Sequence, residues 1–175
     1  MKKNQPLHML ALAFALAIVA PAHAHSARTA PPDTDEAGIR ATIESFRTAI
    51  IQKDRERFLT LFVQNDVPWQ SVMEDRSLAQ IRAKRPEAIK ARFKRENNPV
   101  AFIDGIVASR NASEETFSNI HIDSDGDVAT VAFDYQFLSN GKATNWGKEC
   151  WLMVRTEDGW KITSLAYSVV LPAAG

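Results

Sequence analysis

The chain has 175 residues, with 21 basic against 21 acidic side chains, a single cysteine and four histidines. Balanced charge excludes a protein held to nucleic acid by a basic surface, one cysteine excludes an internal disulfide framework, and so few histidines leave little for histidine-based chemistry. The length suffices for one hydrophobic core.

Lys2 and Lys3 open the chain, an apolar stretch runs from Leu7 to Ala20, and Pro21 leads into Ala22-His23-Ala24, the order a signal peptidase reads. That stretch, about 14 residues long, is shorter than the roughly 20 a spanning helix needs, and no second one follows. Residues 1–24 are therefore expected to be a signal peptide cleaved after Ala24, giving a periplasmic or secreted protein with no membrane attachment after cleavage. No cysteine near Ala24 provides for a lipid anchor. His8 and His23 leave with the leader, so His25 and His121 remain; they are too few to hold copper, and no metal or cofactor is expected.

Residues 25–34 are small, polar and proline-bearing and read as a flexible lead-in, with the folded domain spanning 35–172. From Asp35, the apolar residues Ile39, Ile43, Phe46, Ile50 and Ile51 recur at steps of three and four, predicting an amphipathic helix that Asp33, Thr34 or Asp35 can cap. Phe58, Leu59, Leu61 and Phe62 predict a short second helix after Lys53-Asp54, and Trp69 to Val72 alternate as a strand. Ser77 to Asn97 carry apolar residues on a helical period, with Pro86 opening the second half. The basic residues of that stretch read as a solvated helix face, diluted by Glu87 and Glu96. Phe102 to Val107 take no clear assignment.

From residue 115 onward the pattern is one of alternating runs separated by Ser124-Asp125-Gly126-Asp127, Ser139-Asn140-Gly141-Lys142 and Glu157-Asp158-Gly159. Asp-Gly and Asn-Gly tolerate the positive φ that tight hairpins require, so four strands near 115–123, 127–138, 143–155 and 160–170 must pair antiparallel as a meander. Three helices followed by a meander define an α+β domain with helices covering one face of the sheet.

Two helices, a Trp-containing strand, a third helix, a long meander and the closing Asp158-Gly159-Trp160-Lys161-Ile162 with Tyr167-Ser168 resemble the nuclear transport factor 2-like superfamily, in its SnoaL-like branch. The resemblance implies a cone-shaped α+β barrel, three N-terminal helices packed on a curved antiparallel sheet, with an apolar pocket and pairing of two copies through the sheet. It implies shape more strongly than activity, because members include isomerases, dehydratases, cyclases and proteins that bind without reacting.

Strand parity puts Ala129, Val131, Phe133, Tyr135 and Phe137 on one face, the core or pocket side. If Thr156 to Gly159 form a four-residue loop, Arg155 faces Trp160, Met153 lies beside Ile162, Trp151 beside Ser164 and Glu149 beside Ala166. A three-residue loop would turn Cys150 and Leu152 inward instead. The first register agrees with how the resembled superfamily presents polar and aromatic residues inward. It makes Glu149 and Tyr135 candidate catalytic residues: a carboxylate in an apolar cavity titrates towards neutrality, and a phenol can polarise a carbonyl. Equally, Glu149 can pair with Lys148 or Arg155 at the surface, and Tyr135 can be a core aromatic. Many SnoaL-like last strands carry a histidine where this chain has Ala166.

Trp69, Phe133, Trp151, Met153 and Ser168 are candidate ligand contacts, the tryptophans reading first as core and second as a stacking wall. Trp69 and Asp104 fit the mouth of the cone in the resembled arrangement. The expected function is that of an exported protein binding a small apolar or amphipathic molecule. An isomerase, dehydratase or cyclase using Glu149 and Tyr135 requires Glu149 inward. A dimeric interaction module with a filled cone requires an exposed apolar outer sheet face.

Overall fold

The computed structural model describes residues 32–91 and 93–173, so the expected leader and most of the lead-in lie outside the described residues. The elements are α1 (Pro32–Gln52), α2 (Arg55–Leu59), β1 (Trp69–Met73), α3 (Asp75–Arg82), α4 (Pro99–Ala108), β2 (Ser113–Ser124), β3 (Val128–Ser139), β4 (Lys142–Thr156) and β5 (Gly159–Val169). Helix α1 begins at Pro32, inside the expected lead-in.

Ile39, Ile43, Phe46, Ala49 and Ile50 follow one face of α1 and are buried. The helix ends where Lys53 turns left-handed at φ 55°. Asp54 then accepts the Arg57 amide at 3.0 Å and starts α2, which buries Phe58. Glu74 caps α3 by accepting the Arg76 and Ser77 amides at 2.9 Å each. Asn98 caps α4 by accepting the Ala101 amide at 2.9 Å.

The helix expected over Ser77 to Asn97 ends at Arg82. Beyond it the backbone lies along the open edge of β1: Val72 bridges Ala91, and the Met73 amide donates to the Lys90 carbonyl at 2.8 Å. Covering a bare strand edge prevails over the helical period, because coiling would bury little: Ile89 and Phe93 remain 49% and 73% exposed. The helical cover is completed by α4, which occupies the segment the sequence left unassigned.

The five strands form one sheet in the order β1-β5-β4-β3-β2, with β1 parallel to β5 and every other neighbour antiparallel. Asn140 and Gly141, at φ 49° and 77°, form the turn between β3 and β4. Ala129, Val131, Phe133, Trp151, Met153, Ile162 and Leu165 pack with the α1 and α2 side chains in one core. Ladder irregularities between Ser118 and His121, between Phe137 and Leu138, and between Leu152 and Met153 bend the sheet around that core.

The loop Thr156 to Gly159 sets Arg155 opposite Trp160 and Met153 opposite Ile162, as expected. The irregularity at Leu152 then moves the remaining register by one residue. Trp151 lies opposite Leu165 rather than Ser164, and Glu149 opposite Tyr167 rather than Ala166.

Candidate functional site

A cavity of about 290 Å³ lies between the sheet, β1 and α4. Its aromatic wall is Trp69 from β1, Phe102 from α4, Tyr135 and Phe137 from β3 and Tyr167 from β5. Trp69 and Phe102 have ring centroids 4.9 Å apart, and Tyr135 meets Tyr167 edge-on at 6.0 Å. The polar groups are Glu115 from β2 with Asn145 and Glu149 from β4, and Val169 completes the lining.

Glu149 is only 4% exposed and accepts a hydrogen bond from the Trp151 indole N–H. The two residues are one step of strand alternation apart, so both point into the cone. Glu115 is equally buried. It stands on β2 opposite Phe137, while its neighbour Glu114 points out and pairs with Arg47 at 2.6 Å.

Burial is the chief cause of the raised titration of both carboxyls, since removing water disfavours the charged form. For Glu149 the Trp151 hydrogen bond works the other way, leaving its pKa at about 7. Glu115 is pushed well above the ordinary carboxylate range by burial and then by the charge of Glu149. The pair titrates as a unit in which loss of the first proton holds back the second.

The Tyr135 hydroxyl donates to the Ser168 carbonyl at 2.9 Å and lies 3.0 Å from Asn145 Oδ1. Burial and then the two glutamates push its ionisation up, so it stays a neutral phenol. Tyr167 is raised too, first by burial, and hydrogen bonds to the side chains of Trp69 and Ser71.

Of the sequence candidates, the structure brings together Glu149, Tyr135 and Trp69 in the cavity wall. Phe133, Trp151 and Met153 do not line it. They are packed into the solid core beside it, with Phe133 and Trp151 edge-on at 5.1 Å and Phe46 over Trp151 at 5.0 Å. Aromatic side chains fill the cone at that level, so these residues have no free face for a ligand. Ser168 turns its hydroxyl outward to accept the Lys148 amide at 3.0 Å and offers its carbonyl to Tyr135. Asp104 is on the exterior, paired with Arg55 at 2.6 Å.

The sequence reading passed over Glu115, Asn145 and Tyr167. Glu115 was concealed by the irregularity in β2: Ile120 and Ile122 set a parity that places Glu114 inward, and Asn119, at φ 51°, reverses it. The available signal was Phe117, an aromatic residue two positions after Glu115 on the opposite parity from the isoleucines.

No protein-family model and no curated protein sequence matches the chain. Solved structures do. The chain is similar to a proposed dehydratase of the nuclear transport factor 2-like family from Streptomyces avermitilis at 21% identity and a TM-score of 0.57, over 81% of this chain and 99% of that one. A proposed scytalone dehydratase from Novosphingobium aromaticivorans is similar at 15% identity and TM-score 0.57, over 79% of this chain and 85% of that one. A nuclear transport factor 2-like superfamily protein from Salmonella enterica aligns at 16% identity and TM-score 0.54, over 81% of this chain and 95% of that one. Likeness at such identities concerns shape, and together with the helices, the curled sheet and the cavity it shows that this chain has the nuclear transport factor 2-like fold.

Proposed function

We propose that the cavity takes up a small, largely apolar molecule and that Glu149 moves a proton on it, in a reaction of the isomerase or dehydratase kind. The observation that carries this reading is the Glu149 carboxyl, 4% exposed in a cavity walled largely by aromatic rings and hydrogen-bonded by the Trp151 indole N–H, a burial that raises its pKa to about 7. A group whose pKa lies near the working pH is populated in both forms and serves as acid or base without a large uphill step. The space suits a small guest, since about 290 Å³ corresponds to roughly ten water-sized groups at about 30 Å³ each. Two similarly folded proteins are described as proposed dehydratases, which is consistent with the proposal.

The test combines two measurements on the purified chain. The Glu149 carboxyl is followed by NMR against pH, with Glu149→Gln for assignment, and a midpoint near 7 is expected. Exchange of the α-protons of phenylacetone with deuterated solvent is expected to be accelerated and to slow about a hundredfold in Glu149→Gln. A midpoint near the model-peptide value of about 4.3, or exchange equal in the two proteins, refutes proton transfer by Glu149.

Binding without reaction is the second reading, favoured by Tyr135, whose hydroxyl proton is engaged by the Ser168 carbonyl. A raised midpoint without exchange would select it. In either case the reading of residues 1–24 as a leader places the site outside the cytoplasm. Pairing of two copies through the outer sheet face belongs to the same proposal, with Cys150 and Leu152 exposed there.

A further inference from the structure

Three acidic residues outside the cavity have cations beside them. Glu114 has Arg47 at 2.6 Å, Asp134 has Lys148 at 2.6 Å, and Asp35 has Arg155 at 2.7 Å. The most deeply enclosed carboxyls, Glu115 and Glu149, have none. The titratable groups facing the cavity are Glu115 from β2, Tyr135 from β3, Glu149 from β4 and Tyr167 from β5; β1 and α4 contribute Trp69 and Phe102. Among the described residues no lysine, arginine or histidine lines it.

Glu115 goes further. It is 96% enclosed, lines the cavity, and makes no hydrogen bond or ion pair with any described residue. Among the described residues no fully buried side-chain oxygen or nitrogen lacks a partner, so the Glu115 carboxyl, which none of them hydrogen-bonds, opens onto the cavity and is served by what enters it. The Glu149 carboxyl is near enough to act on it, and most of the remaining lining of the cavity is aromatic, a surface that attracts organic cations through the negative potential above each ring. A neutral apolar guest would use those faces and leave Glu115 as it is.

We infer that the molecule accepted by this cavity carries a protonated amine on a small aromatic or apolar body, with the ammonium group against Glu115 and the body among Trp69, Phe102 and Phe137. This rests on the cavity being the ligand site proposed above and adds its substrate class. Glu115 is thereby a binding residue and Glu149 the group that moves a proton. An incoming cation favours the charged form of both carboxyls, so its entry at neutral pH releases protons to solvent.

Calorimetry of the full chain with 2-phenylethylamine hydrochloride and with 2-phenylethanol, near pH 7.5, tests this. The two probes share a body and differ in charge, and the amine is fully protonated there, since alkylammonium groups titrate near 10.4. The amine is expected to bind about tenfold or more tightly than the alcohol, the discrimination of one charge-assisted hydrogen bond. Repeating the titration in two buffers of different ionisation heat is expected to show proton release with the amine. Glu115→Gln is expected to remove the amine's advantage over the alcohol. The buffer comparison needs only the unaltered chain and decides the matter if that variant does not fold. Equal or tighter binding of the alcohol, no binding of the amine at millimolar concentration, or no proton release overturns the inference. Those failures leave the Glu149 midpoint and the exchange assay untouched, and a Glu149 midpoint near 4.3 would leave amine selectivity at Glu115 standing.

Discussion

Glu149 titrates where it does because two influences oppose each other at one oxygen: burial raises its pKa, and the Trp151 indole N–H lowers it. Replacing Trp151 by phenylalanine removes the indole N–H. The Glu149 midpoint in Trp151→Phe, read by carboxyl NMR, is therefore expected to move above its value of about 7. The same burial has a consequence for stability. Both carboxyls have folded-state pKa values above those of the unfolded chain, so their contribution is intact below about 4.3 and is lost as pH rises through the folded values. Thermal unfolding is expected to show the midpoint falling from pH 5 to pH 8. Glu149→Gln should flatten that fall and be the more stable protein at pH 8, by an amount of the order of 3 kcal/mol.

At the level of elements, the hairpins were legible because their chemistry is local: Asn140-Gly141 and Asp158-Gly159 announce turns without reference to anything distant. The helical face from Ile39 to Ile50 was legible for the same reason. What escaped depends on contacts between elements. The segment after Arg82 has a helical period but lies against the edge of β1, and the irregularities in β2 and β5 alter which residues face the cone. Hence Glu149 could be placed inward by counting back from Trp160, whereas Glu115 could not be counted from its own strand. Gly147 illustrates the same dependence. A Cβ there would come within 2.2 Å of the Ser168 carbonyl oxygen, the atom that accepts from Tyr135. Gly147→Ala must push β5 away from β4 at that point, so denaturant unfolding is expected to show a loss of about 1–3 kcal/mol. Tyr135 should lose its contact with the Ser168 carbonyl, visible as a changed near-ultraviolet tyrosine signal.

Across the whole molecule, the first helix and the last hairpin are tied by Asp35 and Arg155, 2.7 Å apart and 120 positions apart in sequence. Asp35 is buried while Arg155 is half exposed, so the attraction is only partly screened by water. Asp35→Ala is expected to lower stability by about 1 kcal/mol in denaturant titrations, and the difference should shrink in high salt. The parallel pairing of β1 with β5 joins equally remote parts of the chain, Trp69 lying opposite Leu165. During synthesis, β1 has no partner in the sheet until nearly the whole chain has emerged, and strand pairs so far apart in sequence form slowly. The wall of the cavity is complete only when they meet, since Trp69 of β1 and Tyr167 of β5 both line it. The raised titration of Glu115 and Glu149, which burial causes, thus belongs to the assembled sheet and not to any local stretch of the chain.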